Sequence, residues 1–276
     1  MPTVFPVRGN HSVKSVVFVC EVASNFGPSD FGKVLAFYEK SQHLKEFFPV
    51  KAEQRGALSI QLQAGQGKPP EVSTTNDLTG LSFSRWAPDG SQDWVLNVQP
   101  NAILVACNRY ERWAPSLEVA LPLLVDVLSE SPQVGVGVIG LQYLDEWTFV
   151  AGKDEPAGPL IFASDGGGLL GSRVMRETGS WHNNSGWFEN GSDGLDKVLA
   201  NVNVTVNLDE ATRKFTASVG HVQRSFCQPP VFALADKEVM SKALTLQFQS
   251  LHTRNKELLR AILTQEAQNQ ISLFTK

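Results

Sequence analysis

Cysteine is scarce and unpaired in this chain. Three thiols, Cys20, Cys107 and Cys227, are spread over 276 residues. None has the close spacing of a zinc ligand set or a redox pair. Each lies among apolar neighbours (VFVCEV, LVACNR, RSFCQP), which reads as buried, reduced thiols rather than bridges. Basic residues are not in excess either: Lys and Arg number 24 against 28 Asp and Glu, for a net charge of −4. Residues 1–150 hold 11 basic and 15 acidic side chains, and residues 151–276 hold 13 of each. Neither half has the basic balance that captures nucleic acid broadly. No apolar run approaches the roughly 20 residues of a membrane span. The opening MPTVFPVRGNHS lacks the charged-then-apolar order of a signal peptide, so the expected location is the cytoplasm, with no membrane contact.

Signatures of cofactor and metal chemistry are missing as well. The five histidines, His11, His43, His182, His221 and His252, show no ligand spacing. The glycine-rich run 165–171 lacks the Lys-Ser/Thr pair of a phosphate loop and reads as a turn. Gly135, Gly137 and Gly140 match the dinucleotide fingerprint by letter. That fingerprint needs a strand before it and a helix opening within it; here a helix precedes and a strand follows. The expectation is therefore no cofactor, no metal and no catalytic residue that can be named.

What the chain does contain is alternating apolar patterning. Hydrophobic content is 42% and charged content 19%, ordinary for a globular protein large enough to bury a core without staples. Residues 13–22 read as a buried strand. A helix capped by Ser29 or Asp30 follows and ends at Pro49. Residues 57–63 read as a half-exposed strand, 65–77 as a polar loop, and 81–86, 94–98 and 103–108 as a meander. Next come a helix over 115–129 containing Pro122, a strand over 134–144, and an irregular stretch over 150–196. Two strands, 198–207 and 215–226, and a long helix over 236–268 close the chain. The fold class is α+β, with antiparallel sheet packed against helices and a long C-terminal helix. Its halves are 1–150 and 151–276, the second with an irregular aromatic loop, a β-hairpin and the long helix, either as two domains or as one continuous unit. No internal repeat emerges.

Two features point outward. Trp181, Trp187 and Phe188 with His182 fall in an otherwise polar segment, where rings left exposed form an adhesive patch. In the last helix Leu244, Phe248, Leu251, Asn255, Leu258 and Ile262 are spaced 4, 3, 4, 3 and 4, a heptad seam with one polar position. It fits a homodimer or partner-helix seam, and equally a helix lying across the sheet with Asn255 at its rim. Trp181, His182, Trp187, Phe188, Leu251 and Asn255 are thus the candidate partner-binding residues.

Three blocks resemble a sporadically distributed prokaryotic protein family of unknown function. The first is Phe83-Ser84-Arg85-Trp86 with Asp89-Gly90, Val95 and Leu96. The second is Ile103-Leu104-Val105, then Tyr110-Glu111-Arg112-Trp113 and Gly140-Leu141-Gln142-Tyr143-Leu144-Asp145. The third is Leu251-His252 with Leu258, Leu259 and Ile262-Leu263-Thr264. The family pattern tends to have Arg where this chain has Gln142. The resemblance implies a bacterial or archaeal cytoplasmic protein, and sporadic distribution accompanies defence- or toxin-linked genes; it brings no catalytic residues with it.

The leading functional expectation is a non-enzymatic interaction or scaffold protein that binds a protein partner or a second copy of itself. The alternative is a hydrolase of unfamiliar type using His182 or His221 with Asp145 or Glu146. A third is a nucleic-acid-binding accessory protein using Arg213, Lys214 and Arg224; the neutral overall balance disfavours it.

Overall fold

A computed structural model describes residues 4–61, 71–152, 154–164, 168–191, 195–231 and 236–273. After a two-residue strand β1 (Phe5–Pro6), strand β2 (Val13–Val22) buries Val16, Phe18 and Cys20 on one face. The expected first helix divides into α1 (Pro28–Lys40) and α2 (Gln42–Phe47). The break is at Ser41, whose amide closes α1 on Phe37 and Tyr38 while its hydroxyl accepts from Leu44 N at 3.3 Å. The cap of α1 is Gly27 rather than Ser29 or Asp30. Asp30 sits inside the first turn and accepts from Gly27 N at 3.0 Å, Ser131 Oγ at 2.9 Å and Gln133 Nε2 at 2.6 Å. One carboxylate thereby ties the start of α1 to a loop a hundred residues away.

Strand β3 (Val50–Gln61) pairs with β4 (Glu71–Trp86), which with β5 (Gln92–Gln99) and β6 (Ala102–Cys107) forms the expected three-stranded meander. Of the stretch read as a polar loop, 65–70 lies outside the described residues and 71–77 belongs to β4, as does its register with β3. Residues 62–63 likewise lie outside. Helix α3 (Trp113–Ser129) begins two residues earlier than its pattern indicates, and β7 (Val136–Val150) extends through Asp145, Trp147 and Phe149.

In the irregular stretch two short 3-10 turns, Gly158–Leu160 and Val174–Arg176, precede β8 (Trp181–Asn190). The aromatic segment is therefore an edge strand and not a loop. Its period is two: Trp181 and Trp187 turn toward the buried valines and alanine of β9 (Lys197–Asp209), while His182, Asn184 and Phe188 turn away. Polar residues between the rings mask that alternation. Of the glycine-rich run, 165–167 lies outside the described residues. Strand β10 (Lys214–Val231) then leads to α4 (Lys237–Ile262) and α5 (Gln265–Gln270), so the last helix is broken at Leu263 and Thr264.

Among the described residues the strands form one antiparallel sheet in the order β3-β4-β5-β6-β2-β7-β10-β9-β8, with β1 beside the far end of β7. A repeat of topology shows in this order. Each half begins at the centre of the sheet (β2, β7), makes a helical excursion, enters at an outer edge (β3, β8), and returns strand by strand. The last strand (β6, β10) pairs with the half's own first strand, and a helix (α3, α4) follows. The halves meet where β2 pairs β7, so the sheet runs unbroken from one into the other. The first half carries one strand more.

The helices cover one face of the sheet. Two apolar clusters lie beneath them, one under α1, α3 and the first half of α4, the other under the 3-10 turns and the end of α4. Fully burying a ring such as Phe18, Phe215 or Phe248 stabilises the fold by roughly 2–3 kcal/mol. All six positions of the heptad seam pack against the sheet of the same chain. Polar residues lie where the two clusters meet.

Candidate functional site

At that junction, between α3, α4 and the middle of the sheet, lies a cavity of about 490 Å³, in the size range of small-molecule pockets. Six segments wall it: 11–13, 110–113, β7, β10, α4 and 271–273. The N-terminal segment arrives by an interruption in the sheet. β1 pairs with the end of β7 at Phe5↔Thr148, and β2 resumes at Val13↔Asp145 with a slipped register before Ser15. Between them the chain turns through Gly9 at φ +69, a conformation glycine adopts without strain. This excursion sets His11 and Ser12 over Asp145, and Glu146 N donates to Ser12 O at 2.9 Å. Bulges of this kind re-aim side chains at strand ends. Arg8 braces the opposite wall by donating to the carbonyls of Asn108 (2.6 Å) and Tyr110 (3.2 Å). From α4, His252, Asn255, Lys256 and Leu259 reach the cavity because they share one helical stripe.

A chain of hydrogen bonds crosses the floor. Ser12 Oγ donates to Asp145 Oδ1 at 2.5 Å, Asp145 Oδ2 meets His221 Nε2 at 2.8 Å, and His221 Nδ1 meets Asn255 Oδ1 at 2.9 Å. Asn255 Nδ2 in turn donates to the carbonyl of Leu141 at 3.3 Å. The last contact fixes the proton inventory. With its amide hydrogens on a carbonyl, Asn255 presents only oxygen to His221, so Nδ1 must carry a proton. Nε2 faces a carboxylate that already accepts from Ser12. Nε2 and Oδ2 then share one proton, and every atom is satisfied whether it rests on the ring, as an imidazolium against a carboxylate, or on Asp145; both side chains are buried.

A second set of contacts lines the wall. Tyr143 OH donates to His252 Nδ1 at 2.7 Å, and the His252 ring stacks on Trp113 with centroids 4.2 Å apart and planes 5° from parallel. Burial, then the charge of Lys256, then His221 lower the His252 pKa to about 4. This agrees with a neutral ring accepting at Nδ1. Burial foremost, with its neighbours Tyr110 and Asp145, holds the Tyr143 phenol well above its ordinary value. Burial, then Arg8 and Arg112, push His11 down. His11 packs edge-on against Tyr110 at 5.9 Å, and its buried Nδ1 has no hydrogen-bond partner.

His221 and Asp145 do come together, as the hydrolase alternative required. Yet both nitrogens of His221 are occupied, and Ser12 gives its proton to a carboxyl group that is already bonded to His221. Among the described residues no group of three or more His, Cys, Asp or Glu could hold a metal ion. Burial raises the Cys107 and Cys227 thiols to about 11, far from a reactive thiolate.

The remaining candidates are scattered. His182 is exposed on the open face of the sheet, and Glu146 points to that face too, paired with Lys14 at 2.9 Å. Arg213 and Lys214 stand at the β9–β10 turn, whereas Arg224 lies ten residues along β10, roughly 33 Å away at about 3.3 Å per residue, and is paired with Glu21. These three do not form one basic patch. Trp181 is buried, Trp187 is half-buried with its indole donating to Glu189 at 2.5 Å, and Phe188 is 59% exposed. Leu251 and Asn255 are buried inside the chain, Asn255 in the floor network rather than at a rim. Residues that sequence reasoning missed as site members are His11, Ser12, Tyr110, Trp113, Tyr143 and His252. For all but His11 and Ser12 a signal existed: Tyr110-Glu111-Arg112-Trp113, Tyr143, Asp145, His252 and Leu259 line the cavity, and all fall in the second and third resemblance blocks. Gln142 alternates to the opposite face, where it lines a shallower groove of about 450 Å³ with Asn184, Asn201 and Asn203.

Compared with family models, curated proteins and solved structures, the chain finds no match. No helix among the described residues is long and apolar enough to cross a membrane.

Proposed function

We propose that this protein is a non-enzymatic binding module whose working part is the pocket between α3, α4 and the sheet, and that the pocket receives a small organic molecule. The observation that carries this reading is a preformed cavity walled by rings from four segments (His11, Tyr110 and Trp113, Tyr143, His252) with one unpartnered polar atom, His11 Nδ1. Apolar walls with few oriented polar groups suit ligand capture. The floor network argues for binding over turnover, because its acid–base groups are engaged with one another.

Ligand-observed NMR and calorimetry with naphthalene-sized fragments test this. Binding in the millimolar range or tighter is expected, and Leu273→Trp, which crowds the cavity, should abolish it while circular dichroism stays unchanged. Equal binding by that variant, or no fragment binding at all, would sink the proposal.

A second reading, protein docking at the β8 edge, draws on Phe188, which lies outward against Phe226 with Lys197 Nζ 4.5 Å from its ring centre. Scaffold action in a prokaryotic, defence- or toxin-linked system belongs with that reading and rests on the sequence resemblance. A cytoplasmic location is part of the proposal too; three buried free cysteines are in keeping with a reducing compartment. Light scattering that finds only monomer, or self-association that is unchanged in Phe188→Ser, would remove the self-docking form.

A further inference from the structure

We propose that the open face of the sheet is a self-association surface, and that its occupant is a second copy of this chain packed sheet against sheet. The inference stands apart from the pocket, which lies on the helical face. The strand register maps the open face row by row. On β2, Val16, Phe18 and Cys20 point to the helices, so Val17 and Val19 point away. One row across five strands reads Val95, Ala106, Val17, Gln142 and Val222. The next reads Leu104, Val19 and Gly140. Apart from Gln142 this central block is apolar. Val17, Val19, Leu104, Ala106 and Val222 are half-buried by their strand neighbours, and they belong to neither apolar cluster beneath the helices.

Three properties of the face favour a second copy over an unlike partner. The first is size. Nine strands in sequence, about 4.8 Å apart and with about eight residues of about 3.3 Å facing out, outline roughly 1,000 Å². A standard interface takes roughly 800 Å² from each partner. The second is charge. Every charge that β2 and β7 place on this face is paired within the chain, Glu21 with Arg224 and Lys14 with Glu146 at 2.9 Å. Two identical faces therefore meet without setting an unpaired charge against its like. The third is the polar border. Toward β8 the face turns to neutral amides, Gln142, Asn184, Asn201 and Asn203, which make no side-chain hydrogen bond among the described residues. An amide carries both donor and acceptor, so it can pair with its own kind across a two-fold axis. An apolar centre with a polar border is the build of a protein interface. The resulting dimer is a sandwich of two sheets with the helices outside, and each bare face becomes core.

Sedimentation velocity of the full chain over about 1–200 μM tests this, and a monomer–dimer equilibrium with a midpoint below about 50 μM is expected. Val17→Lys and Leu104→Glu each set a charge in the middle of the face, where the monomer leaves it in water and the dimer buries it. Each should weaken association at least about tenfold while the circular dichroism spectrum stays unchanged. Phe188→Ser, four strands from Val17 and about 19 Å away by strand spacing, should weaken it far less. Methyl NMR of the parent chain reads the same contact without any substitution. On dilution the methyl signals of Val17, Val19, Leu104 and Val222 should move, and those of the inward Val16 and Val105 should stay. A monomer at every concentration defeats the proposal. So does a dimer of undiminished strength in both central variants, or one that only Phe188→Ser dissolves, which would place the contact at the β8 edge. Dilution shifts confined to residues outside the open face defeat it as well. None of these results bears on ligand capture in the pocket.

Discussion

Removing Asp145 should cost this protein as much as any polar substitution in the floor of the pocket. Its side chain is 0% exposed and holds Ser12 and His221; with the shared proton on the ring, His221 is an imidazolium. Asp145→Ala strands that buried cation, a loss of about 3–5 kcal/mol. His221→Ala strands the carboxylate with Ser12 alone and leaves Asn255 Oδ1 without a donor, again about 3–5 kcal/mol. The double variant removes both charges at once. It should fall short of the summed losses by a coupling energy of about 2–3 kcal/mol, since contacting charges do not behave independently. Against a total stability of about 5–15 kcal/mol, the single variants are marginal. Urea unfolding at pH 7, with sulfate added to hold the singles folded, reads all four corners of the cycle. Additivity within about 0.5 kcal/mol would refute the ion-pair assignment. So would a His221 nitrogen spectrum showing one protonated and one bare ring nitrogen.

Two further outcomes follow from the same geometry. His252 titrates near 4 in the fold and near 6.5 unfolded. Above pH 6.5 both states are neutral, and as pH falls the unfolded chain takes the proton first. Stability should therefore drop between about pH 6.5 and 4, by up to about 3 kcal/mol from this group. His252→Gln, which keeps an acceptor for Tyr143, should flatten that limb relative to the parent in urea midpoints taken at pH 7 and 4.5. Gly140 lies inside β7, where an added Cβ would meet Val19 at 3.4 Å and Arg224 at 3.6 Å, ordinary contact distances. Gly140→Ala should leave melting temperature unchanged or raise it, by up to about 1 kcal/mol equivalent; a loss above that size would show a tighter approach than the sheet allows.

Much of the scaffold was legible. Strand β2 matches its pattern because Val16, Phe18 and Cys20 alternate cleanly against the core, and the meander was announced by its turns at Pro88-Asp89-Gly90 and Pro100-Asn101. Strand β8 was missed because Asn183 and Ser185 occupy inward positions, where they bond the carbonyl of Leu169 and remove the apolar beat that marks a strand. The repeated topology was invisible because the two excursions share no local structure: helices α1 and α2 in one half, 3-10 turns in the other. At the site, His221 and Asp145 were each noticed, but their meeting depends on the β7–β10 register, Asp145 standing two positions from the Tyr143 that faces His221. Asn255 read as the polar position of a dimer seam. Only the sheet beneath α4 turns it into the residue that sets the proton on His221.

The most direct test of the pocket's role is chemical-shift mapping of the full chain titrated with 1-naphthylacetate. Saturable shifts concentrated at Trp113, His252, Leu259 and Leu273, with β8 silent, are the expected result. Shifts confined to β8 or the open sheet face, or a featureless drift that never saturates, would contradict a binding function at the junction of the two halves.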